Sequence, residues 1–311
     1  MSRIILHIGL QKTGTSSIQV MLSSSSAGLA AQGLAYPALP VPRTSRSGVW
    51  TSPFRHNCIA GTYADFNSVF EIMTAAEAAV FWRDLRRDGR TLILSAEEFS
   101  RQRDFTPLAA ALDGFDVEVV VYLRRQDKYV ESLYNQQNKI LVQRGDQSLM
   151  SERFLTTADL DHFTRRSGYR GILDYADLLH RVETQLAPAR IHVRHFDRAA
   201  MYGSDVCSDF CHAIGLDPGL MHRPQREANQ SIRNEVLHQW KTAFMTGGPE
   251  AGAAFLQDLN VTIAAGENVS GSYAILSDTE RAALINEYAA INAVVRDRYG
   301  VDLNRPSVPM L

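Results

Sequence analysis

Residues 9–17, "GLQKTGTSS", bring a lysine, two glycines and the hydroxyl side chains of Thr13, Thr15, Ser16 and Ser17 into nine positions. These residue types can hold an anion. Backbone N–H groups at a helix start have no intrahelical acceptor, and with the helix dipole they attract negative charge. Gly14 lets the backbone approach closely, the hydroxyls add donors, and Lys12 is a point charge that can sit on a phosphate or a leaving-group oxygen. The usual phosphate loop reads G-x-x-x-x-G-K-[ST], with its lysine after the second glycine. Here Lys12 precedes Gly14.

A second constellation lies in "VVVYLRRQDKYVESLYNQ", where Arg124 ends an apolar run and Ser132 follows eight residues later. A guanidinium at a strand end can grip a phosphate through two N–H bonds. A serine in the early turns of the next helix can reach the same group. Three side chains stand out as proton acceptors. His56, in "PFRHNCIA", is of a type suited to proton abstraction near neutral pH. Glu97 and Glu98, in "LILSAEEFS", follow a strand end, where sites in parallel α/β folds gather. The choice among the three stays open. His7 reads as a core or supporting residue, and Arg43, Arg46 and Arg55 as the wall of a groove for an anionic acceptor or as a solvated face.

The elements that must position these residues follow from periodicity. "RIILHIG" reads as a buried parallel strand. A helix is expected from Gly14–Thr15 through "TSSIQVMLSSS", with Ile18, Met21 and Leu22 at helical spacing. Residues 28–57, rich in Gly, Pro, Ser and Arg, read as one long irregular stretch and as a substrate loop. "TAAEAAVFWRDLRRDG" is a helix closed by Gly89, "TLILS" and "VEVVVYL" are strands, and "RRQDKYVESLYNQQNKIL" is a helix. "DYADLLHRVETQLA", "RIHVRHF" and "SDVCSDFCHAIG" follow as helix, strand and helix, the last ended by Gly215. From about residue 230 the chain reads as helical, and Ser277 with Glu280 matches a capping box. Alternating strands and helices predict an α/β fold: a P-loop-like three-layer α/β/α arrangement around a mainly parallel sheet, with a helical C-terminal part. With no internal repeat or clear linker, residues 1–311 are expected to form one domain.

Composition narrows the classes. The 32 basic and 34 acidic side chains give a net charge of −2, without the basic surplus that nucleic-acid binding wants. Cys58, Cys207 and Cys211 lack framework spacing and are expected to be core residues in a reducing, cytoplasmic setting. No secretory signal and no apolar run near the roughly 20 residues of a membrane span is visible. No cluster has metal-ligand spacing.

The motif "QKTGTSS" resembles the 5′-phosphosulfate loop of the sulfotransferases, where K-[ST]-G-T-[TS] follows the first strand. Arg124 and Ser132 resemble that family's 3′-phosphate motif, and the general layout resembles its bacterial members. The resemblance implies 3′-phosphoadenosine 5′-phosphosulfate (PAPS) as donor, the desulfated bisphosphate (PAP) as product, and no metal. It implies that Lys12, Thr13, Gly14, Thr15, Ser16, Ser17, Arg124 and Ser132 bind the donor, and that Lys12 stabilises the leaving phosphate. One of His56, Glu97 and Glu98 would then deprotonate the acceptor hydroxyl. The R-K-G motif of the cytosolic small-molecule enzymes is absent near the C-terminus. That points to the branch resembling carbohydrate sulfotransferases, hence to a carbohydrate or glycolipid acceptor, and leaves the third wall of the nucleotide site unassigned. Two other readings compete. "TLILSAEE", with acidic residues past a strand end, suits a P-loop nucleotide kinase or NTPase. A non-catalytic nucleotide-binding protein on the same fold is the other.

Overall fold

The computed structural model describes residues 2–39, 43–44, 50–51, 53–57, 59, 73–144, 169–222, 233–265 and 274–304. Its strands are β1 (Ser2–Ile8), β2 (Leu34–Ala35), β3 (Arg43–Thr44), β4 (Trp50–Thr51), β5 (Thr91–Ala96), β6 (Phe115–Leu123) and β7 (Arg190–His195). Five of them form one sheet in the order β2-β5-β1-β6-β7, and every neighbouring pair in it is parallel. Ile8 of β1 lies opposite Ala96 of β5 and Val121 of β6. The C-terminal ends of these three strands are therefore close to level. The α/β fold expected from the alternation is present, with its helical C-terminal part.

The central strands are predominantly apolar because both of their faces are covered. Ile4, Ile5, Leu6 and Ile8 are fully buried and alternate between the faces. On one face Ile5, Ile93 and Tyr122 pack with Ile18 and Leu22 of α1 (Thr15–Ser24) and with Phe210 of α7 (Val206–Ile214). Cys207 and Cys211 are buried in the same cluster; Cys58 lies outside the described residues. Between α1 and α7 come α2 (Ser26–Ala31), α3 (Ala75–Arg87), α4 (Thr106–Ala111), α5 (Gln126–Arg144) and α6 (Tyr175–Arg181), which runs on into the π turn Val182–Leu186. Thr74 and Glu77 close a capping box at the start of α3, and α3 ends one residue before the expected Gly89 stop at a C-cap on Asp88.

The stretch 28–57 differs from expectation. It is not one irregular loop: it carries the end of α2, the β3–β4 pair, and β2, which joins the parallel sheet beside β5. Leu34 and Ala35 are buried at the sheet edge, so two apolar residues sufficed to recruit a strand the composition had hidden.

The chain divides into two compact units. The first comprises Met1–Arg124, Asp174–Glu227 and Ala290–Leu311, and it holds the whole sheet. The second comprises Arg125–Leu173 and Ala228–Ala289. It contains α5, α8 (Asn234–Ala264) and α9 (Asp278–Glu287). α8 is two helices joined at Gly248, whose φ of 71° and neighbour Pro249 break the run. Ser277 and Glu280 form the expected capping box of α9. The last helix is α10 (Ala289–Tyr299). Among the described residues no helix is long and apolar enough to cross a membrane.

Within the second unit, Asp127 and Glu131 of α5 are fully buried. Arg281 of α9 bonds both Glu131 oxygens at 3.1 Å and also donates to Asp127, which Arg125 holds at 2.7 Å. Glu131 accepts the Ile275 and Leu276 amides as well, at 2.7 and 2.9 Å. Burial alone would raise the Asp127 carboxyl, but Arg125 and Arg281 hold it below its ordinary range. Removing one partner of such a cluster strands buried charge. Arg281→Ala is therefore expected to destabilise the protein by about 3–5 kcal/mol in a urea melt.

Candidate functional site

The anion loop starts where β1 ends. The Gly9 amide donates to the Ala96 carbonyl at 3.0 Å, carrying the β1–β5 pairing one residue past the strand. A side chain at Gly9 would meet Thr15 at 2.7 Å, which explains the glycine. The backbone then turns through two left-handed residues, Lys12 (φ 62°) and Gly14 (φ 77°). For lysine this conformation is strained by about 1–3 kcal/mol, and the surroundings must hold it. They do so through the Leu10 carbonyl, which accepts the Thr13 and Thr15 hydroxyls at 2.7 and 3.1 Å. They do so also through Arg124, whose Nη1 donates to the Lys12 carbonyl at 2.8 Å. The Arg124 guanidinium lies 5.4 Å over the Phe196 ring, and its own carbonyl accepts the Tyr175 hydroxyl at 2.8 Å. Phe196 and Val206 close in beneath Gly14, within about 3 Å of where a Cβ would stand.

α1 begins at Thr15. The Ser17 and Ile18 amides bond back to the Gly14 carbonyl at 2.9 and 3.2 Å. The Thr15 and Ser16 amides at the helix start have no acceptor within the helix, as at any helix N-terminus. The donor set around the turn is thus backbone amides, Lys12 and the half-exposed Ser16 and Ser17 hydroxyls, a set that fits an anion. Two details add to the sequence reading. The Thr13 and Thr15 hydroxyls, expected as anion donors, are buried and give their protons to Leu10. Arg124, expected on a phosphate, also braces the loop backbone.

One strand over, Glu97 follows the last residue of β5 and is half-buried. Burial pushes its carboxyl up to about 7; the nearby Glu98 charge adds to this, while Arg55, Lys12 and Arg101 pull it back. Glu98 points inward at 2% exposure, 3.9 Å from Arg101, and its Oε2 has no hydrogen-bond partner among the described residues. Burial raises its carboxyl too. Asn57 accepts both the Glu97 amide, at 3.0 Å, and the Glu98 amide, at 3.4 Å.

His56 is fully buried, and both of its ring nitrogens are taken by backbone. Nε2 donates to the Pro37 carbonyl at 2.8 Å and Nδ1 accepts the Ser95 amide at 2.9 Å. That pattern demands the neutral imidazole and leaves no lone pair for an acceptor hydroxyl. Tyr36 packs edge-on against the ring at 5.0 Å. His7, also fully buried, hydrogen-bonds Ser95 Oγ through Nδ1 at 2.8 Å, and Gln19 of α1 donates its Nε2–H to the same oxygen at 3.2 Å. Burial lowers His56 to about 4 and His7 to about 3. The unfolded chain therefore takes up these protons near pH 6.5 while the folded chain does not. The histidines' contribution to stability is full above that pH and falls as the pH drops toward 4, by an amount on the order of a few kcal/mol. The raised Glu97 and Glu98 carboxyls work the other way in the same window. Glu97→Gln removes the larger of these opposing effects: its urea midpoint is expected to decrease from about pH 6.5 toward 4 more steeply than that of the wild type, and an equal slope in the two proteins would contradict this assignment.

The structure thus gathers Lys12, the loop through Ser17, Arg124, Glu97, Glu98 and His56 around the ends of β5, β1 and β6 in the first unit. Ser132 belongs to the second unit, on the second turn of α5, and is buried. Arg55 is exposed; only the backbone of Arg43 is described, and Arg46 lies outside the described residues. Asn57, Ser95, Gln19 and Phe196 had no motif to mark them. Among the described residues no group of three or more His, Cys, Asp or Glu side chains gathers as metal ligands would.

No protein-family model matches the chain, and no curated protein matches it. A solved structure, a sulfotransferase from Alicyclobacillus acidocaldarius, is similar over 83% of this chain and 96% of that one. The two are 15% identical and superpose with a TM-score of 0.41. A likeness so distant fixes neither activity nor ligand.

Proposed function

We propose that the chain is a sulfotransferase that moves a sulfuryl group from PAPS to a hydroxyl. The observation that carries this reading is the loop after β1. A strained Lys12 is held there by Arg124 on one side, with Glu97 on the strand end at the other. Its motif resemblance, "QKTGTSS" with Arg124 and Ser132, supplies the identity of the anion.

In this reading the Thr15 and Ser16 amides, with the Ser16 and Ser17 hydroxyls, hold the 5′-phosphosulfate. The bond from sulfur to the bridging phosphate oxygen breaks, and Lys12 neutralises the charge that grows there. A bond from sulfur to the acceptor oxygen forms, and the acceptor proton passes to Glu97. Glu97 is preferred to His56, whose nitrogens are both engaged, and to Glu98, which faces inward. A group poised near neutrality is well matched to proton abstraction. Arg124 serves twice: the resemblance gives it the 3′-phosphate, and it also holds the Lys12 carbonyl. The acceptor is a carbohydrate or glycolipid hydroxyl, in keeping with the missing R-K-G motif, and the exposed Arg55 suits an anionic one.

Calorimetry with PAP and with ATP, both in chelator, tests the donor. Micromolar PAP binding with weak ATP binding is expected, followed by transfer from PAPS to a panel of sugar acceptors. A preference for ATP that magnesium restores would replace this reading with a nucleotide kinase. PAP binding without transfer to any acceptor would leave a nucleotide-binding protein.

A further inference from the structure

The geometry points to Arg124 as the positioning residue for Lys12: its bond to the Lys12 carbonyl keeps the turn that aims the ammonium, a task separate from the 3′-phosphate that the resemblance gives it. What the aim serves rests on the proposed transfer reaction; the aim itself does not. Lys12 has a φ of 62°, a region where a residue with a Cβ is strained. A lysine that relaxed to an ordinary φ would carry its Cβ, and with it the ammonium, in another direction. Arg124 opposes that relaxation. Its Nη1 donates to the Lys12 carbonyl at 2.8 Å from 112 positions away in sequence. A hydrogen bond from a charged donor is similar in size to the strain of one left-handed residue, so the one can offset the other. The hydroxyl bonds nearby act elsewhere, since Thr13 and Thr15 both donate to the Leu10 carbonyl.

Arg124 can do this because it is itself fixed. It stands directly after Leu123, the last residue of β6. Its own carbonyl accepts the hydroxyl of the fully buried Tyr175 at 2.8 Å. Its guanidinium lies 5.4 Å over the Phe196 ring, and the Phe196 amide donates to the Leu123 carbonyl at 2.7 Å. The same ring stands 2.9 Å from where a Cβ on Gly14 would be. The ends of β6 and β7 thus support both left-handed residues of the loop, Arg124 at Lys12 and Phe196 at Gly14. A guanidinium has five N–H donors, so the bond to the carbonyl leaves others for a phosphate.

Two readouts separate this role from its rivals. The stability difference between glycine and alanine at position 12 reports the left-handed backbone, which glycine adopts freely and alanine does not. A merely structural Arg124 would, on removal, lower both variants alike and leave that difference in place. Adenosine 5′-phosphate lacks a 3′-phosphate, so a role confined to that group would leave its affinity untouched.

The experiment measures urea midpoints of Lys12→Gly and Lys12→Ala, each with and without Arg124→Met. Methionine keeps an apolar contact with Phe196 and removes the donor. With Arg124 in place, the glycine variant is expected to unfold at a midpoint higher by roughly 0.3–1 M. With Arg124→Met that gap is expected to vanish. In parallel, calorimetry on the full chain with Lys12 intact is expected to show Arg124→Met weakening adenosine 5′-phosphate binding by about tenfold or more, because the ammonium no longer faces the 5′-phosphate. A gap that persists without Arg124, no gap with it, or an unchanged affinity for adenosine 5′-phosphate overturns the proposal. Where Arg124→Met fails to fold, Arg124→Gln, too short to reach the carbonyl, takes its place with the same expectations. The urea arm needs neither ligand nor turnover. Wild-type protein that binds no PAP would refute the sulfotransferase reading, and the gap at position 12 would still decide the positioning role alone.

Discussion

Glu97→Gln is expected to lower kcat by about 10²- to 10⁴-fold, the range over which a positioned general base contributes. Glutamine keeps the shape and the burial but cannot take a proton. PAP affinity should stay near that of the wild type, since no proposed donor contact comes from this side chain. The pH profile gives a second readout with a definite sign. A base acts in its ionised form, so kcat/KM of the wild type should rise with pH through about 7, where burial places the Glu97 carboxyl. In Glu97→Gln that limb should disappear. Glu98→Gln serves as the contrast: its carboxyl is turned inward, and its loss should leave the limb in place. A Glu97→Gln enzyme within a few-fold of wild type would remove this residue from the reaction.

Lys12→Gly is expected to inactivate the protein while stabilising it. The lysine backbone sits at a φ of 62°, a conformation that glycine adopts without strain. Releasing that strain is worth roughly 1 kcal/mol or more of folding stability. The ammonium is lost at the same time, and removal of a transition-state charge partner typically lowers kcat by about 10²- to 10³-fold. Lys12→Ala separates the two effects, because alanine loses the charge yet keeps a Cβ in the left-handed region. The pair should be equally inactive, with the glycine variant unfolding at higher urea. Equal unfolding midpoints would mean that the turn relaxes once the lysine is gone.

Much of this site was legible because it is local. A glycine after an apolar run, a lysine, hydroxyls and a helical apolar period all fall within residues 4–22, and they fold into β1, the loop and α1 as they read. Arg124 was legible for the same reason, standing at the end of the apolar strand β6. What could not be read depends on partners far away in the chain. His56 lies in a stretch rich in Pro, Gly and Arg that reads as exposed loop, and it is buried only because Ser95, on another element, offers its backbone. The Thr13 and Thr15 hydroxyls read as anion donors because nothing in the sequence says that the Leu10 carbonyl will curl within their reach. Arg124 reads as a phosphate ligand, and only the three-dimensional turn exposes the Lys12 carbonyl to it. β2 was missed because two residues are too few to carry a period.

The strand order carries a consequence for how the protein comes into being. β1 lies at the centre of the sheet, yet both of its neighbours are made later, β5 at residues 91–96 and β6 at residues 115–123. During synthesis the apolar segment Ile4–Ile8 is complete long before either partner exists to cover it. Parallel pairing across such separations is slow to form, and an uncovered hydrophobic strand is open to wrong partners in the interval. The segment that presents the anion loop is thus also the segment in greatest need of a holding chaperone on the ribosome. Overproduction that outruns chaperone supply should deposit the chain as aggregate through this strand, whatever the stability of the finished fold.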